Sequence, residues 1–197
     1  MSVSRNDRAV KAVERHPAVQ RVVLVGSRAA GTATALSDWD FVVETDEFQT
    51  VAHDIGSLIA PLGPLAQQWD RLSETYCWMV MMPGPIKLDF IFGEPHESEP
   101  PWNPEPSNLD AIDCHFWDWV LWLHSKRSSG TTDMVQGELD RMFDHILLPM
   151  GAQSPPDSLD NAIASYLERR EALERRFGVS VTRTLEGQVV RALPALP

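Results

Sequence analysis

Five prolines, Pro95, Pro100, Pro101, Pro104 and Pro106, fall between Gly93 and Asn108. Proline fixes φ and carries no N–H, so neither a helix nor a central strand can run through this stretch. The hydrophobic pattern differs on its two sides. Upstream, apolar spacing predicts helices over residues 6–16 and 51–62, and β-branched runs at 21–25 and 40–44 read as strands. The runs 76–82 and 86–92, joined by Pro83-Gly84-Pro85, read as an antiparallel hairpin. Downstream the periodicity is helical throughout. A stripe of Ile112, Phe116, Val120 and Leu123 predicts a helix to about Lys126, capped within Ser107-Asn108-Leu109-Asp110. Further helices are expected over 132–148, over 158–177 with Gly178 just beyond its end, and over 183–193. The expected fold is α+β. A small mixed sheet with flanking helices spans 1–95, a proline-rich linker 96–107 and an all-α domain 108–197.

Composition narrows the function classes. The 28 acidic residues outweigh 17 basic ones, for a formal net charge of −11, and only Lys11, Lys87 and Lys126 are lysines. Nucleic-acid binders need basic surface to displace counterions from phosphates, so no nucleic acid is expected as partner; a cationic small molecule or a protein suits the field better. No apolar run approaches the length of a membrane span, and the charged N-terminus lacks the apolar core of a secretory signal, so a cytoplasmic protein with no membrane contact is expected. Cys77 and Cys114 lie in apolar contexts without metal-ligand spacing and read as reduced core thiols.

The chemistry concentrates in VGSRAAG (25–31) followed by SDWDFVV (37–43). On a strand, Asp38 and Asp40 project to one side while Trp39 turns to the other. Two adjacent carboxylates repel unless a cation lies between them, and hard divalent ions with oxygen ligands are the natural neutraliser. Gly26 permits close backbone approach, and Ser27 supplies a hydroxyl and an N–H able to hold a phosphate. Alternative structural readings are a helix cap or turn acid for Asp38 and Asp40, simple turn or loop roles for Ser27 and Gly31, and a solvated or sheet-edge charge for Arg28, which is otherwise placed to reach a triphosphate.

Gly26-Ser27, Gly31 and Ser37-Asp38-Trp39-Asp40 together resemble the signature of the DNA polymerase β-like nucleotidyltransferase superfamily. The resemblance, over residues 8 to 93, is nearest to small bacterial members of the antibiotic (aminoglycoside) type and to minimal nucleotidyltransferases. That pattern asks for a third carboxylate on a later strand, and Asp89 is the only acid in the apolar run 86–92; the competing reading pairs Asp89 with Lys87 or an arginine. Trp39 departs from the smaller aliphatic residue usual there. The resemblance implies transfer of a nucleoside monophosphate, expected to be AMP from ATP, to a hydroxyl of a small-molecule acceptor. It implies two Mg2+ ions held by Asp38, Asp40 and Asp89 as catalytic and metal-binding residues, with Gly26, Ser27, Arg28, Gly31 and Ser37 at the nucleotide. The alternative is a nucleotide-binding regulatory or antitoxin-like module acting on a partner protein.

In the helical half, Glu138 and Asp133 are candidate assisting bases, though solvated helix acids is the plainer reading. Trp117, Trp119 and Trp122 read as packing before platform, and His115, His124 and His145 as packing or surface residues. A homodimer stays open, since no heptad seam demands one.

Overall fold

β-Branched Val19, Val22, Val23 and Val25 make the first strand, β1 (Val19–Val25), which follows helix α1 (Arg5–Glu14) and stops at Gly26. The computed structural model describes residues 5–34, 37–70, 75–96, 102–128 and 134–193. By its internal contacts the chain divides into two units, Met1–Glu99 and Pro100–Pro197.

In the first unit β1 leads into a four-residue helix, α2 (Gly26–Ala29), and then β2 (Trp39–Thr45), α3 (Phe48–Ile59), β3 (Ala66–Asp70), β4 (Tyr76–Met82) and β5 (Ile86–Phe92). The sheet order is β1-β2-β5-β4-β3. β2 and β5 pair parallel, and all other neighbours are antiparallel. The expected mixed sheet and its hairpin are therefore present. Alternation along β2 sends Phe41 and Val43 into a core with Leu88 and Phe90, against which α1 (Ala9, Val13) and α3 (Val51, Ile55, Ile59) pack. Asp40 and Asp89, being of the opposite parity, fall on the other face.

Two local differences from the periodicity have simple causes. α3 begins at Phe48, a residue only 3% exposed, and it tightens into a 3-10 turn at Ala60–Leu62, where Pro61 cannot donate the next α-helical bond. Strand β3 is absent from the sequence expectation because AQQWD carries little apolar signal; it pairs only with β4, Trp69 opposite Trp78.

The second unit is helical: α4 (Leu109–Ser128), α5 (Val135–Met142), α6 (Leu159–Phe177) and α7 (Thr184–Ala192). α6 is capped as expected, Ser158 accepting from the Asn161 N–H and Gly178 closing the end at φ 68°. Asn108 does not cap α4 with its side chain; it accepts from the Glu105 N–H and donates to the Asn103 carbonyl. The helix expected over 132–148 changes character at Phe143, passing into a π-helical turn, Phe143–Leu147, with the Leu148 N–H on the Phe143 carbonyl at 2.8 Å. Pro149 directly follows, and the residue before a proline is sterically driven away from α geometry. α4, α6 and α7 are tied by one buried network: Asp113 Oδ1 accepts from Tyr166 (2.7 Å), Trp117 (3.2 Å) and Arg170 (2.6 Å), and Arg170 also reaches Glu186 at 2.6 Å. Both cysteines are buried thiols outside any disulfide. Among the described residues no helix is long and apolar enough to cross a membrane.

Candidate active site

Val25 and Asp40 are register partners between β1 and β2, so the chain leaving β1 turns beside the Asp40 carboxylate. That turn requires glycine for two reasons. Gly26 has φ 67°, and a Cβ built on it would lie 2.4 Å from Asp40 Oδ2. Gly31 also has positive φ, 71°, but a Cβ there meets nothing within 4 Å. Gly26 thus sets how closely backbone approaches the acid, whereas Gly31 serves the loop conformation alone.

Arg28 works inward. Its Nε donates to the carbonyls of Ser37 and Asp38, each at 3.0 Å, and its guanidinium stacks over the Trp39 ring at 4.2 Å. The residue staples α2 to the segment that enters β2. Ser37 is likewise engaged within its loop, its hydroxyl accepting from the Thr34 N–H at 2.9 Å. The Ser27 carbonyl accepts from the Thr32 N–H at 3.0 Å. The eight residues singled out in the sequence therefore separate by place: Gly26 and Ser27 at the turn beside Asp40, Arg28, Gly31 and Ser37 shaping the loop, Asp38 immediately before β2, and Asp89 on β5.

The parallel pairing of β2 with β5 puts Asp40 directly opposite Asp89. In-register residues of adjacent strands point to the same face, so two carboxylates from distant parts of the sequence become neighbours. Burial pushes the half-buried Asp40 carboxyl above its usual range, and the charges of Lys87 and Arg28 only partly offset this. Asp89 is 8% exposed. Its Oδ2 lies 3.4 Å from Lys87 Nζ, and its Oδ1 accepts from the Cys77 thiol at 3.7 Å. The sequence signal for Lys87 was its i, i+2 relation to Asp89, which puts both on one face of β5.

Among the described residues no three of His, Cys, Asp and Glu converge as a ready-made metal centre. The donor chemistry nevertheless fits a hard divalent cation: two carboxylates on adjacent strands, Asp38 flanking them, and at Gly26 a cradle that any side chain would fill. Of the helical acids, Glu138 is engaged at both oxygens, by Trp119 Nε1 at 3.3 Å and Arg141 Nη1 at 2.8 Å. Asp133 lies outside the described residues. His115 is buried, and exposed His145 lies against the rings of Trp102 and Trp119.

Residues 7–75, which include the turn, Asp38, Asp40 and β3, match the family model described as "Nucleotidyltransferase domain". About a third of the chain is thus similar to a nucleotidyltransferase domain. Asp89 and strand β5 lie beyond the matched part of that domain. Two solved structures align with the chain at low identity. An aminoglycoside 6-adenyltransferase from Bacillus subtilis shares 11% identity over 99% of both chains with a TM-score of 0.35. The polymerase core of TRAMP, an RNA surveillance complex, shares 15% over 90% of this chain and 61% of its own, with a TM-score of 0.41. No curated protein sequence matches the chain.

Proposed function

We propose that the protein is a metal-dependent nucleotidyltransferase that moves a nucleoside monophosphate, AMP from ATP, onto a hydroxyl of a cationic, aminoglycoside-like small molecule. The observation that carries this reading is the in-register pair Asp40 and Asp89 beside the Gly26 turn, within a domain that matches nucleotidyltransferases. The acceptor class rests on the net charge of −11, which attracts cations.

Asp38, Asp40 and Asp89 would hold two Mg2+ ions, whose chemistry when bound is to neutralise the triphosphate and stabilise the attacking and leaving oxygens of an in-line displacement. Gly26 keeps side-chain bulk away from the phosphates, and Ser27 binds them with its hydroxyl and N–H. Arg28 fixes the Asp38 backbone through its two carbonyl contacts. Asp89 would face the acceptor: the acceptor hydroxyl oxygen bonds to the α-phosphorus as the bond from that phosphorus to the pyrophosphate oxygen breaks, the hydroxyl proton passes to the Asp89 carboxylate, and pyrophosphate leaves.

The test is Mg2+-dependent release of pyrophosphate from ATP with a panel of aminocyclitol and other polyamine acceptors, on the wild type and on two variants. Asp89→Asn should still bind Mg-ATP while turnover falls by about 10²-fold or more, the scale of a lost base or preorganised electrostatic contact. Asp40→Asn should lose nucleotide affinity and turnover together. Equal loss of nucleotide affinity in the two variants would sink this division of roles.

A regulatory or antitoxin-like module that binds a nucleotide without turning it over is the second reading. It draws support from Lys87, which already supplies Asp89 with a positive partner. Mg2+-independent ATP binding without pyrophosphate release under any acceptor would favour it.

A further inference from the structure

The chain has three lysines, and one of them lies on the acid face of the sheet's central strand. The side chains of Lys87 and Asp89 are only 14% and 11% exposed. Neither charge has enough water to be stable alone, and an ammonium taken out of water needs an anion beside it. The 3.4 Å contact supplies one. Lys87 also acts on Asp40, whose carboxyl it and Arg28 pull downward against burial.

We propose that Lys87 is the built-in counter-ion of the acid pair, holding the cation position beside Asp89 until a divalent ion displaces its ammonium. This rests on the reading that Asp40 and Asp89 take a divalent cation. A metal ion approaching Asp89 must remove a positive charge that already occupies Oδ2, and it is repelled by that charge until the side chain swings away. A nucleoside triphosphate removes the obstacle, because its phosphates offer the ammonium another anion while adding oxygen ligands for the metal. Lys87 thereby makes metal and triphosphate load together, and keeps the metal-free site charge-balanced.

The test is Mn2+ alone, titrated into the full chain and followed by electron paramagnetic resonance of the free ion. Lys87→Met removes the charge and keeps the apolar stem; Lys87→Gln is run beside it, and the comparison uses whichever variant melts with the wild type. Removal of a neighbouring positive charge should tighten Mn2+ binding about tenfold or more, while Lys87→Arg should bind as weakly as the wild type. The gain must vanish in Lys87→Met combined with Asp40→Asn. Unchanged or weaker Mn2+ binding in the charge-removed variant overturns the proposal and makes Lys87 an organiser of the acids instead. A gain that survives Asp40→Asn overturns it as well, because the ion then binds elsewhere. If neither wild type nor charge-removed variant binds Mn2+ at millimolar concentration, the cation-binding reading itself fails and the counter-ion role falls with it.

Discussion

At the scale of single residues, Gly26 carries the sharpest constraint. A methyl group there would meet Asp40 Oδ2 at 2.4 Å with φ at 67°. Gly26→Ala should therefore cost about 1–3 kcal/mol of stability from left-handed strain, and should move the Asp40 carboxylate. The expected result is a lower melting temperature together with loss of turnover, whereas Gly31→Ala, strained but unobstructed, should lower melting and spare most activity. Comparing the two by calorimetry and pyrophosphate release separates conformational strain from steric exclusion. Arg28 gives a second contrast. Its forked contacts to Ser37 and Asp38 carbonyls cannot be reproduced by an ammonium, so Arg28→Lys should lower kcat about tenfold or more despite the retained charge. An Arg28→Lys protein with unchanged kcat would show that the staple does not position Asp38. The sequence marked Arg28 as able to reach a triphosphate, since nothing in the chain order reveals that carbonyls nine and ten residues ahead fold back onto its guanidinium.

At the scale of elements, legibility followed apolar pattern. β1, β2, β4 and β5 were readable because β-branched or aromatic residues alternate or cluster in them, and the h-Asp-h form of β2 and β5 exposed their acids. β3 was not, because Gln67 and Gln68 hide a strand whose existence depends on pairing with β4. The π-helical turn after α5 was hidden too, since only i to i+5 bonding, such as Leu148 to Phe143, distinguishes it from the helix its residues favour. Register was legible only as possibility: that Asp40 sits opposite Asp89 and not opposite Phe90 is fixed by the whole sheet. In the helical unit, two contacts hold elements together and can be tested. Burial pushes the Asp113 carboxyl upward and the bonds from Tyr166 and Arg170 pull it back, while Asp113 and Glu186 hold the Arg170 proton more firmly than in a free arginine. The pair is charged, so Arg170→Met should cost about 3–5 kcal/mol by stranding a buried carboxylate. Adding Asp113→Asn should recover part of that loss in a denaturation cycle. The second contact joins α6 to the segment before α7, where Glu174 accepts from the Val181 N–H and from Arg183, each at 2.6 Å. Burial opposes its charge, but these partners outweigh burial and hold its pKa below 4.5. A depressed carboxylate stabilises the fold above its unfolded pKa and loses that contribution as pH falls through the folded value. Glu174→Gln should then be about 1–3 kcal/mol less stable than wild type at neutral pH, and the gap should close progressively below pH 4.5. A gap that is constant with pH would remove the charge from the explanation.

At the scale of the whole molecule, the net charge of −11 argues for an acceptor that is positive, or at least not a polyanion. Single-stranded RNA should show no salt-dependent binding by fluorescence anisotropy near physiological ionic strength, because no counterions are released without basic contacts. A steep salt slope would overturn that expectation and the acceptor class with it. The order in which the sheet is written into the chain has a consequence of its own. β5, the strand that lies between β2 and β4, is the last of the five to be synthesised. At about 5–20 residues per second, the nascent chain spends seconds with the inner edge of β2 bare. During that interval it is open to mispairing with another chain, since unpaired strand edges template association. Asp89 arrives on the same strand that closes the edge, so the edge is covered and the acid pair completed in one step. A polypeptide stopped short of β5 has neither a finished sheet nor a second carboxylate, and its failure is one for the quality-control machinery to recognise by exposed edge alone.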